Sequence, residues 1–211
     1  KNGLTHVCRF LLDCPSFTEV NAKTTTSPQF EEKMGGYFGG PDCELTALVV
    51  AILMDYPDLA CMILQCDRFI EVNNFYNISF MNHQRSAFAN AAVKGQVSVC
   101  SALLKHPLFT GLNNVDDYGV TNLMLAALVN TKENAAVCRL ILEDARFNRL
   151  NEISCTGPGY NGHAIDFAKQ SGLTEVCNLI RSHPKYRSPG DAEGFAEELA
   201  DALVDVEGAS K

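Results

Sequence analysis

One pattern recurs five times along the chain and restricts what it can fold into. It reads HVCRFLLDCPSFTEVN from His6 to Asn21, LACMILQCDRFIEVN from Leu59 to Asn73 and SVCSALLKHPLFTGLN from Ser98 to Asn113. It returns as AVCRLILEDARFNRLN from Ala136 to Asn151 and as EVCNLIRSHPKY from Glu175 to Tyr186. Every copy sets an aromatic nine residues after the slot that Cys8 holds, and the first four add an asparagine four residues further on. The aromatics Phe17, Phe69, Phe109, Phe147 and Tyr186 fall 52, 40, 38 and 39 residues apart. Self-similarity at such a period describes a row of supersecondary units, each burying an apolar edge against the next.

A single unit is legible in SAFANAAVKGQVSVCSALLKHPLFTGLN, from Ser86 to Asn113. Ser86 is suited to cap a short apolar-periodic helix, and Gly95 to end it in the left-handed conformation. Val99, Cys100, Leu103 and Leu104 then carry helical spacing until Pro107 stops it. The unit is two helices joined by a turn and followed by a loop. Its residues resemble ankyrin repeats: SAFANAAVKGQVSVCSALL echoes that family's helix pair, and Asn113, Asp116, Gly119 and Thr121 of NNVDDYGVT match its connecting loop. Further helix starts stand at Thr46, Thr121 and His163, so the resemblance covers roughly residues 3–187.

The resemblance implies an all-α fold: an ankyrin-like helical-hairpin solenoid of about five degenerate repeats with long inserted loops. Residues 1–187 are expected to form this array, with 22–45 as an inserted loop, and 188–211 an acidic amphipathic tail helix. Val49, Ala89, Met124 and Asp166 stand where the family carries a histidine. Gly3 falls in the turn slot of Gly95, so the first unit is expected to lack its first helix. About three extra residues near Asn130–Val137 are expected to lengthen a turn. Arg181 replaces an apolar residue of the other units, as a solvent-facing terminal unit should.

Charge narrows the function classes. Of the net charge of −8, the segment from Ser188 onward carries −6, so the array is close to neutral and lacks the basic stripe that nucleic acid requires. No apolar run is long enough to span a membrane, so no direct membrane span is expected. Nine cysteines, an odd number, point to an intracellular, reducing compartment, cytoplasmic or organellar, with a targeting sequence ahead of Lys1 left open. Cys8, Cys100, Cys138 and Cys177 share one slot on an apolar helical face and are read as core packing, not as metal ligands.

Chemistry is expected nowhere: no catalytic residue, cofactor or metal site. GPGYNG (Gly157 to Gly162) has dinucleotide-loop spacing, but RLNEISCT ahead of it is not a buried strand and helices follow. His106 and His183 share a repeated slot, which favours a structural part. A thiol- or zinc-dependent enzyme is the discarded alternative.

Function is expected instead from a protein-binding surface on the first helices, the aromatic loops and the tail. The residues expected there are Tyr37, Phe38, Leu53, Met54, Phe75, Tyr76, Tyr118, Leu128, Val129, Tyr160, Phe195, Leu199 and Leu203. The role expected is an accessory or scaffold subunit of a larger assembly, organellar or membrane-associated assemblies included. A free cytosolic adaptor is the alternative.

Overall fold

The computed structural model of the chain describes residues 2–25, 44–78, 83–155 and 161–188. Outer-row helix α1 (Asn2–Asp13) is followed by four helical pairs: α2 (Ala47–Leu53) with α3 (Pro57–Leu64), α4 (Ala87–Val93) with α5 (Val97–Lys105), α6 (Asn122–Ala127) with α7 (Lys132–Glu143), and α8 (Ala164–Gln170) with α9 (Thr174–Ser182). The first helices pack in the order α2, α4, α6, α8, and the second helices in the order α1, α3, α5, α7, α9. The architecture is therefore a two-row helical solenoid. Strands occur among the described residues only as two-stranded antiparallel fingers between units: β1 (Lys23–Thr25) with β2 (Glu44–Thr46), β3 (Phe75–Ile78) with β4 (His83–Ser86), and β5 (Ser154–Cys155) with β6 (Asn161–Gly162). No helix among the described residues is long and apolar enough to cross a membrane.

Helices of two turns are marginal alone, so caps and packing must hold them. The hydroxyls of Thr46, Ser86 and Thr121 accept from the amides of Val49, Ala89 and Met124 at 3.1–3.3 Å. Two of the slots that lack histidine still return a hydrogen bond to the cap: Thr121 N donates to Met124 Sδ at 3.4 Å, and His163 N to Asp166 Oδ2 at 3.1 Å. Gly95 has φ 66°, as its turn requires, and a Cβ there would meet Asn134 Oδ1 at 2.9 Å. Cys100, Cys138 and Cys177 are buried between the rows. Phe69, Phe109 and Phe147 are buried too, with the ring centroid of Phe109 5.2 Å from that of Phe88.

The recurring asparagine joins one unit to the next. Asn21 donates to Arg68 O at 2.7 Å and accepts from Ile70 N at 2.8 Å, so it grips the backbone on both sides of Phe69. Asn73 grips Leu108 O and Thr110 N around Phe109 at 2.6 and 2.9 Å. Asn113 does so around Phe147 through Arg146 O and Asn148 N, both at 2.9 Å. Asn151 closes the series around Tyr186 through Lys185 O and Arg187 N at 2.8 and 2.9 Å. The fifth copy has Gly190 where the other four have the asparagine.

A second contact runs the opposite way. Arg68 reaches back to Leu12 O at 2.5 Å, Arg146 to Leu104 O at 2.7 Å and His183 Nε2 to Leu142 O at 3.2 Å. Each closes a carbonyl left open at the C-terminus of an outer helix, where positive charge is also favoured. Asp144 aims one of these hooks, its carboxylate accepting from Arg146 Nε at 2.9 Å and Nη2 at 2.7 Å. Those bonds hold the Asp144 carboxyl below its ordinary range.

The structure departs from the sequence reading in four places. The extra residues before Val137 lengthen helix α7 to 12 residues instead of a turn, because Thr131 Oγ1 accepts from Asn134 N at 3.0 Å and starts the helix early. Gly3 lies inside α1, not in a turn. Ser154–Cys155 does pair as a strand, though only with Asn161–Gly162 in a finger. Leu53 and Tyr76, expected at a docking surface, are buried, Tyr76 because its hydroxyl accepts from Asn90 Nδ2 inside the array. Arg181 is exposed, as expected of a terminal unit.

Replacing Asn113 by alanine removes two inter-unit bonds at roughly 0.5–1.5 kcal/mol each, and urea unfolding should show a loss of about 1–3 kcal/mol. Because the folded Asp144 carboxyl titrates below its unfolded value, its contribution is present above about pH 4 and lost as the pH falls through the folded value. An Asp144→Asn chain should therefore lose less stability across that acid window than the parent, as read by thermal melts. Burial pushes the Cys138 thiol up to about 12 and raises Cys100 as well, whereas a hydrogen bond with Ser16 lowers Cys14. Alkylation at mildly alkaline pH followed by peptide mass spectrometry should find Cys14 labelled in the native state, and Cys100 and Cys138 only after unfolding.

Candidate docking surface along the fingers

The asparagine that clamps one unit to the next also fixes the chain that leaves it. Two residues beyond each asparagine the backbone enters a finger, and that slot holds Lys23, Phe75, Val115 and Ile153 in successive units. The last three are large apolar side chains standing in water, 42%, 39% and 55% exposed. Phe75 opens β3 opposite Ser86. Val115 pairs with Thr121 across a tight loop, and Ile153 stands just before β5.

The three are held on adjoining elements. Phe75 and Val115 line one small cleft together with Arg85 and Val120. The loop beyond Val115 is closed by Asp116, whose Oδ1 accepts from Tyr118 N at 3.0 Å and Val120 N at 2.9 Å. Gly119, at φ 74°, completes it, and a Cβ there would sit 2.8 Å from Ile153 O. Only glycine satisfies both the dihedral and that approach. Cys155 N then donates to Tyr118 O at 2.9 Å, tying this loop to the next finger. Tyr118 itself is exposed. The result is an apolar strip, Phe75, Val115, Tyr118 and Ile153, carried on two fingers and the bridged loop between them.

Of the residues expected from sequence, the structure brings Phe75 and Tyr118 into this strip. Met54 is exposed but belongs to a groove beside α1, at the other end of the array. Val129 is exposed at the α6–α7 turn, and Leu128 packs partly on the core. Tyr37, Phe38, Tyr160, Phe195, Leu199 and Leu203 lie outside the described residues. Val115 and Ile153 were not singled out from sequence. The signal was present in the repeat register, since both stand at the slot of Phe75, but neither is aromatic.

The polar groups that stand out in the sequence serve the fold. His106 and His183 each accept from a backbone amide two residues on, at 3.2 and 3.1 Å, within the turn that leads to the motif aromatic. Asp166 serves the α8 cap and pairs with Lys169 at 3.1 Å. Among the described residues, no group of three His, Cys, Asp or Glu side chains is placed to hold a metal ion.

No protein-family profile matches the chain, and no curated protein matches it. Among solved structures the chain is similar to EF0377, an ankyrin repeat protein, at 14% identity, with 89% of this chain and 99% of that one covered and a TM-score of 0.36. It is also similar to the structure of the predatory endopeptidase Bd0816 from Bdellovibrio bacteriovorus in complex with immunity protein Bd3460, at 16% identity, with 86% and 97% covered and a TM-score of 0.48. At this level of likeness the architecture rests on the chain's own helix rows and asparagine clamps.

Proposed function

We propose that the chain is a non-catalytic protein-interaction module that meets its partner along the finger strip. The observation that carries this reading is the slot two residues past the clamping asparagine. At three successive units it places a large apolar side chain in water, where only Lys23 of the first unit is polar. Apolar residues gathered on one surface mark interaction sites, and hydrogen-bonded elements that fix their bases lower the ordering cost of binding. Hydrophobic anchors of this size suit the centre of an interface, with exposed Asp117 and the Arg149–Glu152 ion pair nearby in the chain for its polar rim.

Within that reading the chain serves as an accessory or scaffold subunit of a larger assembly. Exposed Phe75, Val115 and Ile153 favour a stably covered surface over a free adaptor. Photo-crosslinking from position 118 in cells should give a discrete product with a second protein. Phe75→Ser and Ile153→Ser should abolish it while changing stability by no more than about 0.5 kcal/mol, as surface substitutions do. A crosslink confined to the chain's own tail, or one untouched by both substitutions, would defeat the proposal. Purification separates the two roles, since a free adaptor stays monodisperse without its partner and a subunit depends on it.

A further inference from the structure

Two arginines among the described residues are partly buried, and the fold uses them differently. Arg68 gives its guanidinium to the carbonyls of Leu12, Pro15 and Phe17. Arg85, on β4 opposite Tyr76, has its Nε buried with no hydrogen-bond partner among the described residues. No carboxylate among those residues forms an ion pair with it. Its Nη1 and Nη2 are not buried, so the outer edge of the guanidinium is open to water while its base is sunk in the protein. A charge held in this way is costly until a counter-charge meets it.

The position of Arg85 says where that counter-charge comes from. Its side chain lines the cleft shared by Phe75 and Val115, with Val120 and Leu125 beside them. Strand β3 packs beside β2 of the preceding finger, so β4, and Arg85 on it, stands toward Val115. Asp116 lines the same cleft, but its Oδ1 accepts from the amides of Tyr118 and Val120 and closes their loop. Lys23, the cation at the strip slot of the first unit, is matched by Glu44 at 3.7 Å and Glu71 at 3.4 Å. Arg85 is therefore a positive charge set among apolar anchors and left unmatched by the described residues. No second cation lines its cleft, so a single negative charge is what it balances.

We propose that the strip takes a partner segment in which an aspartate or glutamate is flanked by large apolar side chains. The carboxylate pairs with Nη1 and Nη2 of Arg85, and the apolar neighbours lie on Phe75 and Val115. This inference rests on the docking reading above and gives the partner a chemistry. A guanidinium edge matches the two oxygens of a carboxylate in a charge-assisted fork, and a stem already packed in the cleft loses little freedom on binding. Because apolar contacts stand on both sides of Arg85, the matching carboxylate belongs to a side chain within the segment and not to its end.

Panning phage-displayed random linear peptides on the full chain tests the proposal. The expected enrichment is an internal Asp or Glu with apolar neighbours. The leading peptide, synthesised with an amidated C-terminus and followed by fluorescence anisotropy, should bind Arg85→Gln at least about tenfold more weakly than the parent. Arg85→Gln should melt no lower than the parent, since it removes an unpaired charge. If that variant fails to fold, Arg85→Lys makes the same test, because it keeps the charge and loses the planar fork. Peptides lost with Ile153→Ser that carry no acid, or that bind the Arg85 variants as tightly as the parent, overturn the pairing and leave the docking strip standing. A requirement for a free C-terminal carboxylate overturns it too. Enriched peptides indifferent to both Phe75→Ser and Ile153→Ser defeat the docking reading itself, and this inference with it.

Discussion

Neighbouring units in this protein are fastened by an amide side chain that grips backbone, and the rest of the architecture depends on that grip. Two-turn helices do not persist alone, and the fingers contain at most four residues per strand. Apolar burial between the rows supplies most of the stabilisation but sets register poorly, since one greasy edge slides over another. An asparagine that both donates to and accepts from the chain flanking a buried aromatic admits a single register. The returning hooks of Arg68, Arg146 and His183 fix the same joint from the other side and close the open ends of the outer helices.

That joint also sets the surface proposed for docking. The residue two beyond each asparagine has little freedom, because the asparagine is held at both ends of its amide. A finger therefore departs in a set direction, and whichever side chain occupies that slot is presented at a set spacing from its counterpart in the next unit. The clamp and the proposed contact residue stand two positions apart: Asn113 with Val115, Asn151 with Ile153. Positions of this kind let a binding surface change its chemistry while the frame stays constant.

Much of the fold was legible because its causes are local. Ser86 and Gly95 announce a helix start and a helix end within ten residues of one another, and the period of the aromatic announces the stack. The pairing of Asn21 with the backbone at Arg68 and Ile70 was not legible, since the partners stand 47 and 49 residues apart and either could have faced water. Tyr76 misled for the same reason: an aromatic in a polar loop looks exposed until its hydroxyl finds Asn90 in the following helix. The extra residues after Asn130 looked like loop because their helix start depends on Thr131, a threonine that could equally serve a turn. Of the surface, the aromatic members Phe75 and Tyr118 were visible, whereas Val115 and Ile153 required knowing which face of the finger the clamp turns outward.

Every asparagine grip points the same way along the polypeptide, from an earlier unit to a later one. A ribosome releases the earlier unit first, so each gripping amide is already displayed when the backbone it will hold emerges. The direction of the grip thus coincides with the direction of synthesis, while the returning hooks can close only once the later unit is in place.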